Sequence, residues 1–390
     1  MNKYDFMTVP VRERNSIKWG NLRPGELPMW IADMDFATAP EILAAMRRKL
    51  DTGAFGYEDL PSEYFQAVAD WQEKQHGVRP KEEWEIYVTG VVPAISSILR
   101  RIAHLGDQVL VQAPVYNIFY NSIENNGRRV LSSDLQYDVD KQEYRVDWTD
   151  LEKKLADPLT TLMIFCNPHN PIGYVWTKEE VQRIADLCHQ HHVVLVSDEI
   201  HGDLVREGRD MTPAFSVTGP ARSSVISLTS PSKTFNVAAL HAATAIIPDE
   251  NLRAIVNRGF NSEELAEPNI LSVPATIAAY EEGGEWLKQL KGQLRENFAY
   301  AESFIKDELP SIKVIKGTAT YLLWVDVSQV ASDASRLVGH LRAATGLIVS
   351  AGNIYRGQGS SFIRINLACP LASVKDGLDR LKRGIASYQE

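Results

Sequence analysis

The chain has 390 residues, of which 44% are hydrophobic and 23% charged, and its net charge is −9. The length exceeds one ordinary core and predicts two domains, and the composition is that of a soluble globular protein. The acidic balance excludes a broad nucleic-acid-binding face, and no apolar run is long enough to span a bilayer.

The N-terminal run Met1-Asn2-Lys3-Tyr4-Asp5-Phe6 has no apolar signal core. The three cysteines, Cys166, Cys188 and Cys369, form no C-x-x-C pair and no metal spacing. Free thiols, no metal centre and a cytoplasmic location are therefore expected.

From about residue 85 the chain alternates strand-like and helix-like segments. Ile86 to Val88 reads as a short strand broken by Thr89-Gly90. Ala94, Ile95, Ile98, Leu99 and Ile102 then recur at helical spacing. Val109 to Val111 reads as a buried strand ending at Pro114, and Leu162 to Cys166 as another. Thr177-Lys178-Glu179-Glu180 is a capping box, followed by Val181, Ile184, Ala185 and Cys188 on one helical face. Val193 to Val196 and Val225 to Leu228 are the next apolar strands. Such alternation predicts a mostly parallel sheet with helices on both faces. After about residue 285 a long helical stretch leads to a smaller α+β segment containing Tyr321 to Val325 and Phe362 to Asn366. The expected division is a large domain over residues 45–285 and a small one from residues 1–44 plus 286–390.

In such sheets ligands gather beyond the carboxyl ends of the strands. The polar residues fall there: Thr89-Gly90, Asn167 to Gly173, Asp198, and Ser230 to Lys233 each follow a strand. A lysine after a Ser-rich loop can form a Schiff base with an aldehyde cofactor while hydroxyls hold its phosphate. Pyridoxal phosphate needs such a lysine (Lys233), an anion facing its pyridine nitrogen (Asp198) and a donor to its phenolic oxygen (Asn170). It also needs a phosphate cradle, which the N–H groups of Gly90, Val91 and Val92 at a helix start can supply. Tyr116 can lie flat against the ring.

Each of these has a plainer alternative. A post-strand Asp is most often a helix cap, a lysine a surface charge, a tyrosine a packing group. Ser230-x-x-Lys233 also suits a serine β-lactamase or penicillin-binding protein, but Ser197-Asp198-Glu199 and Lys233-Thr234-Phe235 stand where that class has Ser-Asp-Asn and Lys-Thr-Gly. The density of Asn and Pro in Asn167-Pro168-His169-Asn170-Pro171 exceeds what a simple turn requires, and one of its Asn-Pro bonds is expected to be cis. His189, His191 and His192 read as helix-end cations, and Trp19, Trp30, Trp71, Trp84 and Trp286 as packing.

Together these residues resemble the fold-type I, aspartate-aminotransferase-like pyridoxal phosphate enzymes. The runs Leu27-Pro28-Met29-Trp30-Ile31-Ala32-Asp33-Met34-Asp35-Phe36, Phe55-Gly56-Tyr57, Ser197-Asp198-Glu199-Ile200-His201 and Ser232-Lys233-Thr234-Phe235-Asn236 are similar to those of the MalY/PatB group of cystathionine β-lyases, or C-S lyases. The resemblance covers essentially the whole chain. It implies an α/β fold with a seven-stranded, mostly parallel sheet in the large domain. It makes Lys233 the cofactor lysine, with Asp198 at the pyridine nitrogen and Asn170 at the phenolic oxygen. His201 falls near that oxygen, where many relatives have tyrosine. Tyr116 is implied as the stacking ring, and Val91, Val92, Ser230 and Ser232 as phosphate ligands. Tyr57 is implied to reach the phosphate of a neighbouring subunit, hence a homodimer with composite sites, and Arg364 to clamp the α-carboxylate of an amino-acid substrate.

Three positions depart from the pattern. Ala238-Ala239 follows Val237 where relatives have Gly, His241 stands where many have a phosphate-binding arginine, and Tyr355-Arg356 replaces the usual Phe-Gly. The implied reaction is α,β-elimination from cystathionine or another cysteine S-conjugate, giving a thiol, pyruvate and ammonia. Aminotransferase activity on the same scaffold and a regulatory role as binding partner of a transcription activator are the alternatives.

Overall fold

The structure is a computed structural model and describes residues 3–206, 208 and 210–389. Its large sheet has seven strands: β1 (Glu85–Val88), β2 (Gln108–Val111), β3 (Arg129–Ser132), β4 (Thr160–Cys166), β5 (Val194–Asp198), β6 (Val225–Thr229) and β7 (Ala243–Ile246). They lie in the order β1-β7-β6-β5-β4-β2-β3. All neighbours are parallel except β7, which runs antiparallel to both β1 and β6. The expected seven-stranded sheet is present.

Successive residues of a strand face opposite sides. In β4, Leu162, Ile164 and Cys166 pack on one face against the helices Val91–Ile102 and Glu250–Ser262. Met163 and Phe165 pack on the other, against Lys178–Gln190. Both faces are covered, which is why the strand reads as an unbroken apolar run. The capping box forms: Glu180 N donates to Thr177 Oγ1 at 3.2 Å and Thr177 N to Glu180 Oε2 at 2.9 Å.

Sequence periodicity does not reveal β3 and β7. β3 is an edge strand with Arg129 exposed and its other residues half-buried, and β7 (Ala-Thr-Ala-Ile) is half alanine, a poor strand former. β5 also runs two residues further than expected and ends on Asp198 itself.

A second, antiparallel sheet comprises β8 (Lys313–Val314), β9 (Leu322–Asp326), β10 (Ser350–Ala351) and β11 (Phe362–Asn366), in the order β8-β9-β11-β10. The long helix Gly284–Glu308 precedes it, and Leu27–Pro28 pairs in parallel with Leu347–Ile348. The following segment, residues 30–36, is laced between the two sheets. Arg364 and Asn366 of β11 donate to the carbonyls of Trp30, Ile31 and Asp33 from one side. From the other, Lys233 donates to Ala32 and Asn236 to Met34 and Phe36. Among the described residues no helix is long and apolar enough to cross a membrane.

Candidate active site

Lys233 sits in the short helix Pro231–Thr234 that follows β6. The turn is set by Ser230, whose Oγ accepts from Ser232 N at 3.1 Å and lies 2.6 Å from the Ala242 carbonyl. The Ser230 hydroxyl is thus committed to the local turn, with Ser232 Oγ 2.8 Å away. Lys233 Nζ donates to the Ala32 carbonyl at 2.6 Å, and the Tyr321 hydroxyl donates to the same oxygen at 3.0 Å. Burial, with help from the Arg364 charge, pushes the Lys233 amine down to about 8, against the pull of Asp33 and Asp198.

Asp198 lies at the carboxyl end of β5, 4% exposed, and accepts from Ile200 N at 3.1 Å. Burial raises its carboxyl to about 6, opposed by that hydrogen bond and by the Lys233 charge. It remains an anion at neutral pH. His201, three residues on in the turn that follows, is buried with no partner for Nδ1 among the described residues. Burial, then the charges of Lys233 and Arg364, depress it to about 3, so its imidazole is neutral. Its ring meets Tyr321 edge-on at 6.1 Å.

The turn after β4 contains two cis peptides, Asn167-Pro168 and Asn170-Pro171, and Ala113-Pro114 before Tyr116 is cis as well. Asn170 is buried, and its Oδ1 accepts from Arg364 Nη1 at 3.0 Å. Arg364 also donates to the Trp30 carbonyl at 3.0 Å and lies 4.9 Å from the Tyr355 ring centre. Its Nε is buried without a partner among the described residues. Tyr116 is half-buried, edge-on to Phe119 at 5.6 Å. Burial and then the Asp198 charge lift its hydroxyl to about 12, so the ring shares the Asp198 environment.

Val91 and Val92 are the first residues of the helix Val91–Ile102, behind Gly90 as N-cap. Among the described residues no side chain caps that helix start, so its N–H groups remain available to an anion. Lys233, Asp198, Asn170, His201, Tyr116 and Arg364 are therefore linked by contacts or by shared charge. Tyr57 is not: it is fully exposed, with Phe55 beside it also 62% exposed. His241 is exposed, with a left-handed φ of 56°. Arg356 pairs with Glu124 at 2.8 Å and covers the Tyr120 ring at 4.1 Å.

The sequence reading assigned no role to Ala32, Asp33 or Tyr321. Their proximity to Lys233 joins residues up to 289 positions apart, and no local spacing carries that signal.

Comparison with known proteins gives consistent results. The chain is 38% identical to cystathionine β-lyase PatB of Bacillus subtilis over 95% of its own length and 97% of that protein's. It is 34% identical to the protein MalY of Escherichia coli, covering 93% and 92%. Its structure superposes on that of cystalysin from Treponema denticola, a protein containing a pyridoxal 5′-phosphate cofactor, with a TM-score of 0.95, 30% identity and coverage of 99% and 100%. Residues 27–381 match the family described as aminotransferase class I and II. The chain belongs to the aminotransferase class I and II family.

Proposed function

We propose that this protein is a pyridoxal-phosphate-dependent lyase that breaks the carbon–sulfur bond of cysteine S-conjugates such as cystathionine. The observation that carries the reading is the meeting of Lys233, Asp198 and the Asn170–Arg364 pair in one buried site, in a chain 38% identical to a cystathionine β-lyase. The buried groups fit the cofactor. Asp198 is a buried carboxylate whose one hydrogen-bond donor among the described residues is Ile200 N, which suits a protonated ring nitrogen. His201 Nδ1 and Arg364 Nε are buried and unpartnered among the described residues, and the helix start at Val91 is uncapped.

When bound, pyridoxal phosphate supplies an electron sink for the pair left on the substrate α-carbon. The chain's own groups do the rest. Lys233 would hold the cofactor, and its amine, brought down to about 8 by burial, would serve as the base for the substrate α-proton. Asp198 would keep a proton on the ring nitrogen. Asn170, whose oxygen is occupied by Arg364, would offer its NH2 to the phenolic oxygen. His201 stands nearby as a neutral donor. Tyr116 would lie along the ring, and the N–H groups of Val91 and Val92, with Ser232 and the turn built by Ser230, would hold the phosphate. Arg364 presents its fork to the α-carboxylate.

The assembly is a homodimer with composite sites, a reading supported by the exposure of Leu50, Phe55 and Tyr57 within one short stretch of chain. A small domain of residues 1–44 and 286–390 is supported by a core cluster containing Met29 and otherwise only residues from Phe298 onward. Cytoplasmic location accords with three free, buried thiols.

The test is to give purified enzyme cystathionine or an S-alkyl cysteine without a keto-acid acceptor. Pyruvate release marks a lyase. Amino-group transfer that needs an added keto acid, with no pyruvate in its absence, marks an aminotransferase and overturns the proposal.

A further inference from the structure

Two carboxylates in the segment of residues 30–36 have different situations. Asp35 is buried and fully engaged: Lys18 Nζ donates to Oδ2 and Trp19 Nε1 to Oδ1, both at 2.9 Å. Asp33 is not. Its backbone is fixed, since its carbonyl accepts from Lys18 Nζ at 2.8 Å and Asn366 Nδ2 at 2.8 Å. Its carboxylate, a third exposed, stands 3.6 Å from Arg12 Nη2, an ion pair beyond hydrogen-bond reach. Arg12 is anchored through Nη2 to the Met34 carbonyl, while its Nε is buried with no partner among the described residues.

This pair borders the reactive lysine. Lys233 Nζ is bonded to the carbonyl of Ala32, the residue just before Asp33. The Asp33 charge also bears on the Tyr321 hydroxyl, which shares that carbonyl. Arg364 holds the same segment two residues earlier, at Trp30. The segment of residues 30–36 thus meets Arg364 at Trp30 and carries the loosely held Asp33–Arg12 pair three residues further on.

A substrate such as cystathionine has two amino-acid heads joined through sulfur. If Arg364 takes the carboxylate at the reacting end, the far head brings an ammonium and a carboxylate that need opposite charges. We propose that Asp33 and Arg12 form the subsite for that distal head, the Asp33 carboxylate receiving its ammonium and the Arg12 guanidinium its carboxylate. The inference rests on the lyase reading above and refines it to S-conjugates that end in a second zwitterionic head. Partly exposed charges already 3.6 Å apart can exchange their mutual contact for two charge-assisted hydrogen bonds with little rearrangement.

The experiment compares wild type, Asp33→Asn, Arg12→Gln and Arg12→Lys on L-cystathionine and on S-methyl-L-cysteine, which lacks the distal head. The readout is the ratio of the two kcat/KM values, so any change common to both substrates cancels. The ratio is expected to fall roughly tenfold in Asp33→Asn and Arg12→Gln and to be largely retained in Arg12→Lys. A second readout needs no turnover: calorimetry on borohydride-reduced holoenzyme should show the same loss of affinity for cystathionine relative to S-methylcysteine. A ratio within about twofold of wild type in both charge-removing variants overturns the subsite. So does a wild-type enzyme that cleaves S-methylcysteine but not cystathionine, an outcome that leaves the lyase reading intact. Pyruvate from neither substrate sinks the lyase reading itself, and the subsite with it.

Discussion

Arg364 donates from Nη1 to the Asn170 carboxamide oxygen at 3.0 Å, joining the last strand of the small sheet to the turn after β4. Arginine has only donors, so the contact fixes which end of the Asn170 amide faces it and leaves the NH2 for the cofactor side. The same guanidinium holds the Trp30 carbonyl.

A lysine at position 364 keeps the charge but cannot serve Asn170, Trp30 and a substrate carboxylate together. Arg364→Lys should raise KM for the amino-acid substrate by about 100-fold, with a smaller fall in kcat. Steady-state kinetics check this. An unchanged KM would remove Arg364 from carboxylate binding.

The Lys233 amine must be neutral to attack an aldehyde, and burial brings it down to about 8. Cofactor uptake by cofactor-free protein should therefore speed up as pH rises toward 8 and level off above it. Asp33 acts in the opposite direction, since its negative charge favours the ammonium and raises the value. Asp33→Asn should move the midpoint of the rate profile to lower pH. Stopped-flow absorbance across a pH series measures both, and a midpoint that stays put or moves up contradicts the assignment.

Much of this site is legible in the sequence because parallel strands bring their carboxyl ends to one line. Asn170, Asp198 and Lys233 each follow an apolar run, and the runs are what locate them. The two unread strands have no such run: Arg129–Ser132 is a half-exposed edge, and Ala243–Ile246 alternates alanine with Thr and Ile. The wall formed by Ala32 and Asp33 was visible only as a motif without a role. Its contacts to Lys233 and Tyr321 span 201 and 289 positions and depend on how the small sheet closes over the large one. Arg356 lies outward on Glu124 and Tyr120, which no pattern of residues foretells.

Glu85, on β1, is 7% exposed, and neither carboxylate oxygen has a partner among the described residues. It lines a cavity of about 430 Å³ with Leu60 and Phe65, while Arg253 in the same cavity donates to the Ile247 and Pro248 carbonyls. Burial, and then the charge of Glu82, raises the Glu85 carboxyl from 4.5 to about 9. The folded protein therefore keeps a proton that the unfolded chain loses above pH 4.5, so this residue costs stability progressively as pH rises from 4.5 to 9. Glu85→Gln should be neutral near pH 5 and stabilising by on the order of 2 kcal/mol at pH 8. Denaturant unfolding at the two pH values decides. A variant less stable than wild type at pH 8 would show that the carboxylate is paired in solution.

Tyr57 and Lys233 test the composite dimer. Tyr57 is fully exposed on its own chain, whereas Lys233 is held against Ala32. If each site takes its lysine from one subunit and its tyrosine from the other, a hybrid of Lys233→Ala and Tyr57→Ala subunits has one doubly damaged site and one intact site. Each variant alone has two damaged sites. Mixing the two under conditions that exchange subunits should raise activity above that of either parent, toward half of wild type per hybrid dimer. The gain should appear at the rate of subunit exchange, followed by size-exclusion chromatography of differently tagged chains. Activity that stays at the average of the parents while hybrids demonstrably form would confine each site to a single chain.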